Sequence, residues 1–415
     1  MSWPAVGNPF FRQYNGFDLL HYNHTLAPFF DANQDGKYTP QYGDYPLPEN
    51  VSNQTIPALT TWCIFNDNGG LHTAALRSTP LQAEVHLTTW AFDCDTNLLL
   101  NRTVFTSHKV INRGLTPIDS MSIGFWTDFD IGCPDDDAIG CSPSTHTFYG
   151  YNAALQESNT CFGTQPAVSF TKKPPAQAVT FLNRPLSKFI AFNGGQVCDA
   201  IPALNPPTTH SEYFNILNGR WRDGSPLTYG GIGYQTGASA NFMFPDDPNN
   251  AAGWSVPTAL IGCSFEMRAL GSTYIGVLQS NDTTRFDAAW SFHQDTTFNA
   301  WQNVTSLRRE VASIQTWYNN RFVNICSTRT ATVDTDGVEV SVSPNPAQTF
   351  LTLNFGNKTL KQVLLINTIG QIVLNDIKND SHSTILDISH LPKGLYIMNT
   401  RFENGKGRVQ KIMKF

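Results

Sequence analysis

The chain has 415 residues, more than one ordinary core needs and enough for two or three domains unless a large β-sandwich absorbs much of it. Charge is sparse at 14%, and 30 Gly and 25 Pro beside 28 Phe, 13 Tyr and 9 Trp favour aromatic-rich strands joined by turns over long helices. Residues 339–415 hold nine Lys and Arg against five Asp and Glu, so residues 1–338 carry −10 of the net −6; an acidic body repels a phosphate backbone, which argues against nucleic acid as a partner.

The start, MSWPAVGNPFFRQYNG, lacks the basic leader and apolar core of a signal peptide, so it is expected to be internal to a longer precursor or to follow a processing point. Residues 1–60 read as a turn-rich segment with little periodicity. Within it, DANQDGKYTPQYGD (31–44) has the first half of a calcium loop. Asp31, Asn33 and Asp35 occupy positions one, three and five, Gly36 supplies the bend, the Lys37 carbonyl can fill position seven and Thr39 stands near position nine. Alternate side chains turned inward around such a bend can surround a hard cation with oxygens at about 2.3–2.6 Å. Position twelve is Tyr42 instead of a bidentate Glu, and Asp44 would need an extra turn at Gly43 to reach the ion. The expected cofactor is therefore a structural calcium ion, with an unmetallated Asx-turn loop as the alternative.

Residues 61–326 form an expected β-rich body, a large sandwich. Strands are predicted at 83–92, 103–112, 119–132, 178–182, 188–192, 239–244 and 272–278. His86 and His108 fall in neighbouring strands and could face each other by cross-strand packing. The acidic run TDFDIGCPDDDAIGC offers a second, weaker calcium candidate in Asp128, Asp130, Asp135, Asp136 and Asp137. The alternative is a solvated loop closed by a Cys133–Cys141 disulfide. All eight cysteines precede residue 327 without a CxxC pair, which fits disulfides in an exported protein better than a zinc site. The five-glycine stretch 218–234 reads as a long ordered loop packed through Trp221 and Tyr229. One helix is expected over 303–322, with Leu307, Val311, Ile314 and Tyr318 on one face and Thr305 or Ser306 as N-cap, lying across a sandwich end.

No HExxH helix, G-x-S-x-G elbow or dinucleotide fingerprint appears in the needed context. A glycosidase-like pair of Asp128 with Asp130, or of either with Glu84 or Glu212, requires a spatial separation that sequence does not give. Trp62, Trp90, Trp126, Trp221, Trp254 and Tyr229 could stack on sugars, although aromatic residues on alternating strands are usually core. No run of 18 apolar residues exists, so no transmembrane segment is expected.

Residues 327–338 lose hydrophobic pattern and read as a linker; residues 339–415 alternate apolar and polar positions between turns, as in a small antiparallel sandwich with hairpin turns near Gly370 and Gly405. Here SPNP (343–346), N-x-x-G-Q-x-V (367–373), LDISHLPKGLYIM (386–398) and the final KIMKF occur in order. This tail resembles the type A sorting domain of proteins exported by the type IX secretion system of Bacteroidetes. Its motif residues are Pro344, Asn345, Pro346, Gly370, Leu391, Gly394, Tyr396 and Lys414. The resemblance implies an immunoglobulin-like sandwich, a partner in the type IX machinery, and a secreted or outer-membrane-associated location. FFDANQDGKYTPQYGDYP, IFNDN, INRG, GFWTDFDIGCPDDDAIGC and NGRWRDGSPLTYGGIGY also resemble an uncharacterised body found before such tails, which implies no activity. The expected function is an exported surface protein of noncatalytic, adhesive or binding role toward a glycan or protein ligand. An extracellular hydrolase acting on glycans is the alternative.

Overall fold

The structure, a computed structural model, describes residues 3–19, 26–70, 78–94, 97–133, 136–157, 160–161, 165–166, 169–193, 201–259, 267–323, 325–326, 340–367, 372–403 and 407–414. The expected linker 327–338 and the turn glycines Gly370 and Gly405 lie outside these residues, as does Asp135. Two compact units form, one from Met1–Phe30 with Pro46–Cys326 and the other from Asp31–Tyr45 with Ser327–Phe415.

In chain order the residues before 327 form α1 (Phe11–Asn15), β1 (Phe29–Phe30), β2 (Tyr45–Pro46), β3 (Leu59–Asn66), β4 (Ala83–Ala91), α2 (Leu98–Asn101), β5 (Thr103–Asn112), β6 (Ile118–Asp128), β7 (Asp137–Ser142) and β8 (Thr147–Asn152). The chain continues through β9 (Thr160–Cys161), β10 (Gln165–Pro166), β11 (Ala176–Phe181), β12 (Lys188–Asn193), α3 (His210–Leu217), β13 (Met267–Leu278), β14 (Thr283–His293) and α4 (Ala300–Asn319). A seven-stranded antiparallel sheet runs β3-β4-β5-β14-β11-β8-β7, and a three-stranded sheet runs β12-β13-β6. The two pack face to face. Phe148, Val179, Phe181 and Phe286 from the large sheet share a core with Phe189, Ile190 and Ala269 from the small one. The period-two alternation of strands places Phe148, Val179, Phe181 and Phe286 on one face of the large sheet and Phe105, Tyr149, Ala178 and Ala289 on the other.

That second face is covered by α4, whose Val304, Leu307, Val311, Ile314 and Tyr318 repeat at helical spacing and are all buried. The helix starts earlier than expected. Asn299 caps it, accepting from Gln302 N–H while the Gln302 side chain accepts from Asn299 N–H; Thr305 lies inside, bonded to Asp247. Instead of crossing a sandwich end, α4 lies along the large sheet. The predicted strand 239–244 makes only isolated bridges, because Phe242 and Ser239 meet single residues of β12 and of the 218–234 loop. That loop is packed through Trp221 and Leu227, both fully buried, whereas Tyr229 is half exposed. Cys94 and Cys326 form a disulfide across 232 residues.

The second unit's sheet holds β15 (Ser341–Ser343), β16 (Phe350–Asn367), β17 (Ile372–Asp387), β18 (Gly394–Phe402) and β19 (Gly407–Lys414). The 18-residue β16 pairs with β17 along its length; β15 and β18 occupy successive stretches of its other edge. Register shifts around Gly356, which has φ +61°, let the paired strands bend around one core of Leu351, Leu353, Leu365, Met398 and Ile412. The result is a small immunoglobulin-like sandwich after a mainly β body. No described helix is long and apolar enough to cross a membrane.

Candidate functional site

In the 31–44 loop, backbone donors already surround the acidic side chains. Asp31 accepts the Asp35 N–H at 3.2 Å and the Gly36 N–H at 2.8 Å, and Asp35 accepts the Lys37 N–H at 2.8 Å. A short 3₁₀ turn, Pro40–Tyr42, ends at Gly43, whose φ of +101° a side chain rarely adopts; it turns the chain back. Asp44 then accepts N–H groups from Ala32 (2.9 Å) and Thr39 (2.7 Å) and is buried, joining the two ends of the loop. Tyr38 is pushed up to about 12, first by burial and then by the Asp44 charge. Among the described residues no three His, Cys, Asp or Glu side chains gather closely enough to hold an ion.

The second acidic run is divided. Asp128 pairs with Arg268 at 2.8 Å on the neighbouring strand, and Arg268 in turn lies 5.5 Å over the exposed Trp126 ring. Asp137 is buried on β7; its Oδ2 accepts the Ile131 N–H at 2.7 Å, and its Oδ1 has no partner among the described residues. Burial pushes its carboxyl up to about 9; the Ile131 N–H opposes this, while Asp136, Glu157 and Asp130 reinforce it. Asp130 is raised as well, by burial and then by Asp128. Glu157, absent from the sequence-level reading, is buried and accepts N–H groups from Cys133 and Phe170.

The expected Cys133–Cys141 bridge is not formed. Cys141 is a free, buried thiol donating to the Met243 carbonyl at 3.3 Å, and Cys133 is bonded to a different cysteine. Strand geometry explains this: Cys141 sits inside β7 facing the core, so its sulfur points into the sandwich, away from the acidic loop.

His86 and His108 do not face each other. The register pairs His86 with Lys109 and His108 with Leu87, a one-residue offset that sends the two rings to opposite faces of the sheet. His108 packs 5.3 Å from the Phe125 ring of β6. His86 faces the α4 side, where a small pocket is lined by Trp62, Trp90, Lys109, Arg285 and Glu49. There His86 meets Glu84 at 2.9 Å, and Arg113 donates to Glu84 at 2.6 Å. Burial alone would raise Glu84, yet the bonds from Arg113 and His86 hold it below its ordinary value; burial lowers His86 despite Glu84. Beside them Asp287, almost fully buried, accepts from Ser107 Oγ at 2.6 Å and from the Tyr318 hydroxyl, and pairs with Arg285 at 3.1 Å. This network ties β5, β14 and α4 together; its members are spread from residue 107 to residue 318, so no local signal announces it.

The other nominated carboxylate, Glu212, belongs to the α3 capping box and pairs with Arg222 at 2.8 Å. Of the candidate stacking rings, Trp90, Trp221 and Trp254 are core, whereas Trp126 and Tyr229 are exposed.

In the C-terminal sandwich the motif residues meet. The Asn345 side chain donates to the Lys411 carbonyl at 2.8 Å and accepts the Met413 N–H at 2.9 Å; the Ala347 N–H adds a bond to the Met413 carbonyl at 2.8 Å. Gly394 opens β18 with φ +154°, Tyr396 Oη donates to the Pro392 carbonyl at 2.6 Å, and Leu391 and Lys414 are buried. The first turn and last strand of the domain are thus fastened side by side.

Residues 341–414 match the family model described as the secretion system C-terminal sorting domain. No curated protein matches the chain. Among solved structures, a polysaccharide lyase is similar over 86% of this chain and 40% of its own at 8% identity, TM-score 0.23. Dimeric latent PorU from Porphyromonas gingivalis is similar over 80% of this chain and 26% of its own at 10% identity, TM-score 0.15. The chain thus spans less than half the length of either structure, and similarities this low carry no argument about this chain. Residues 341–414 are a type IX sorting domain, and the chain that carries them is a Bacteroidetes-type secretion substrate bound for the outside of the cell or its outer-membrane surface.

Proposed function

We propose that the body delivered by this domain is a noncatalytic binding module for a surface glycan or protein ligand. The observation that carries the reading is the fate of three of the four nominated carboxylates, each paired with an arginine. Glu84 stands on the large sheet against Arg113, Asp128 on the small sheet against Arg268, and Glu212 at the start of α3 against Arg222. The bonds from arginine hold Glu84 and Glu212 below the ordinary carboxylate value, so neither keeps a proton to donate at neutral pH, and the Arg268 pair occupies Asp128; this suits structure better than general acid catalysis. Exposed Trp126 and Tyr274 on the small sheet offer rings for contact.

The test is incubation of the protein with a panel of acidic and neutral glycans and of surface proteins, following binding and product release together. Saturable binding without product, weakened about tenfold by Trp126→Ala, is expected. Product release abolished by Glu84→Gln would favour the glycan hydrolase instead.

We further infer that the 31–44 loop takes one structural calcium ion through Asp31, Asn33, Asp35, the Lys37 carbonyl and Thr39. In this reading Asp44 holds the loop ends. Only two of these ligands are carboxylates, so affinity in the extracellular range suffices. Calcium titration of the protein tests this inference.

A further inference from the structure

The large sheet ends in two unlike edges. β7 is buried along its whole length, and its Cys141 N–H bonds to the Phe244 carbonyl. β3 pairs only with β4 among the described residues, leaving its outer edge without a strand. Exposed strand edges are usually blunted by charge, proline or a bulge, because an unpaired row of N–H and C=O groups templates another chain. Leu59–Asn66 has none of these: its sequence is LTTWCIFN, and its register with β4 runs unbroken over all eight residues.

The face of the strand on the small-sheet side of the large sheet is equally unprotected. Leu59, Thr61, Cys63 and Phe65 are all exposed, Leu59 by 62% and Phe65 by 48%. Cys63 stands at the middle of this row and is a free thiol, in a chain whose Cys94 and Cys326 are oxidised. A leftover thiol in an exported, disulfide-bearing protein points to pairing between molecules.

We propose that β3 is a self-association edge, on which a second copy of this chain pairs antiparallel about Cys63 and is locked by a Cys63–Cys63 disulfide. The occupant follows from the symmetry of the strand. In the register centred on Cys63, Trp62 of one copy opposes Ile64 of the other, Thr61 opposes Phe65, and Thr60 opposes Asn66. No like charges meet, and the nearest charge, Asp67, opposes Leu59. This is a two-fold, self-complementary contact that closes on itself without leading to a filament. Directly opposed antiparallel residues have Cα atoms about 4.5–5.5 Å apart, inside the span a disulfide accepts. Lock formation removes two protons and two electrons from two Cys63 thiols. With oxidised glutathione as oxidant, one disulfide forms between the chains, the glutathione disulfide breaks, and two reduced glutathione molecules leave.

The experiment treats the whole chain with oxidised glutathione at neutral pH and reads mass without reductant, sedimentation, and hydrogen exchange of the β3 amides. Expected are a covalent dimer cleaved by dithiothreitol and at least tenfold slower exchange in β3. Cys63→Ser should sediment as a weaker, noncovalent dimer with partial β3 protection. Cys63→Lys, which sets two ammonium groups opposite each other, should be monomeric. Either substitution falls at an exposed position, and an unchanged melting temperature of its monomer checks that it folds. The proposal is overturned if only a glutathione adduct forms, if Cys63→Ser still gives the covalent dimer, or if β3 exchange is unchanged by dimerisation. These outcomes are independent of glycan binding, so failure here leaves the binding-module reading standing.

Discussion

The side-chain oxygen of Asn345 accepts the Met413 N–H at 2.9 Å, and its amide group donates to the Lys411 carbonyl at 2.8 Å, so one residue of the first turn clasps two of the last strand. The SPNP and KIMKF motifs, 66 residues apart at this contact, are two halves of one structural clasp. Asn345→Ala removes both bonds at an exposed site. The expected cost is roughly 1–2 kcal/mol of sorting-domain stability, read by denaturant unfolding. Asn345→Asp keeps the acceptor but loses the donor and should cost less. Equal stability of Asn345→Ala and wild type would refute the clasp.

The Cys94–Cys326 disulfide closes a loop of 232 residues and joins the end of the body to the segment after β4. Replacing both cysteines by serine should lower body stability by about 3–5 kcal/mol, since a longer closed loop restricts the unfolded chain more. A calorimetric melting temperature lowered by less than about 2 °C would contradict this.

Asp137 gives the body a pH dependence with a defined sign. Its folded carboxyl, at about 9, lies above the ordinary carboxylate range, so between roughly pH 4 and 9 the folded state keeps a proton that the unfolded state has released. The stabilisation from this group is complete below pH 4 and declines as pH rises toward 9. Asp137→Asn should flatten that decline and, in chelator, make the body more stable than wild type at pH 8 by roughly 1–3 kcal/mol. A variant less stable than wild type at pH 8, with the slope unchanged, would show that Asp137 is ionised in the fold.

For the 31–44 loop, the expected outcome of calorimetric titration is saturable calcium binding with a dissociation constant of about 10⁻⁴–10⁻³ M, accompanied by a higher melting temperature. Asp31→Ala plus Asp35→Ala should abolish both. Absence of heat in wild type, or an isotherm untouched by the double substitution, would leave the loop as a hydrogen-bonded turn held by Asp44.

Much of this architecture was legible because alternation and helical spacing report one face at a time. β5 runs over 103–112 as its pattern predicts, and Leu307, Val311, Ile314 and Tyr318 all lie on the buried stripe of α4. Pairing was less legible. The His86–Lys109 register depends on the α2 connection between β4 and β5, and a one-residue offset changes every facing partner. The same limit hid the fate of Cys141, whose inward direction is set by the β7–β8 hairpin. The Asp287 network was invisible for another reason: its residues come from three elements brought together only by packing. At the tail the motif order sufficed, but the role of Asn345 emerges only where the first and last segments lie side by side.

Export through residues 341–414 is the claim on which the surface role depends. The most direct measurement expresses the full chain and a form lacking 341–414, each behind the same periplasmic signal peptide, in a Bacteroidetes host with intact type IX machinery. The extracellular and periplasmic fractions are then quantified. The account expects the full chain outside and the shortened form retained in the periplasm. Arrival of the shortened form outside at the full-length rate would contradict it.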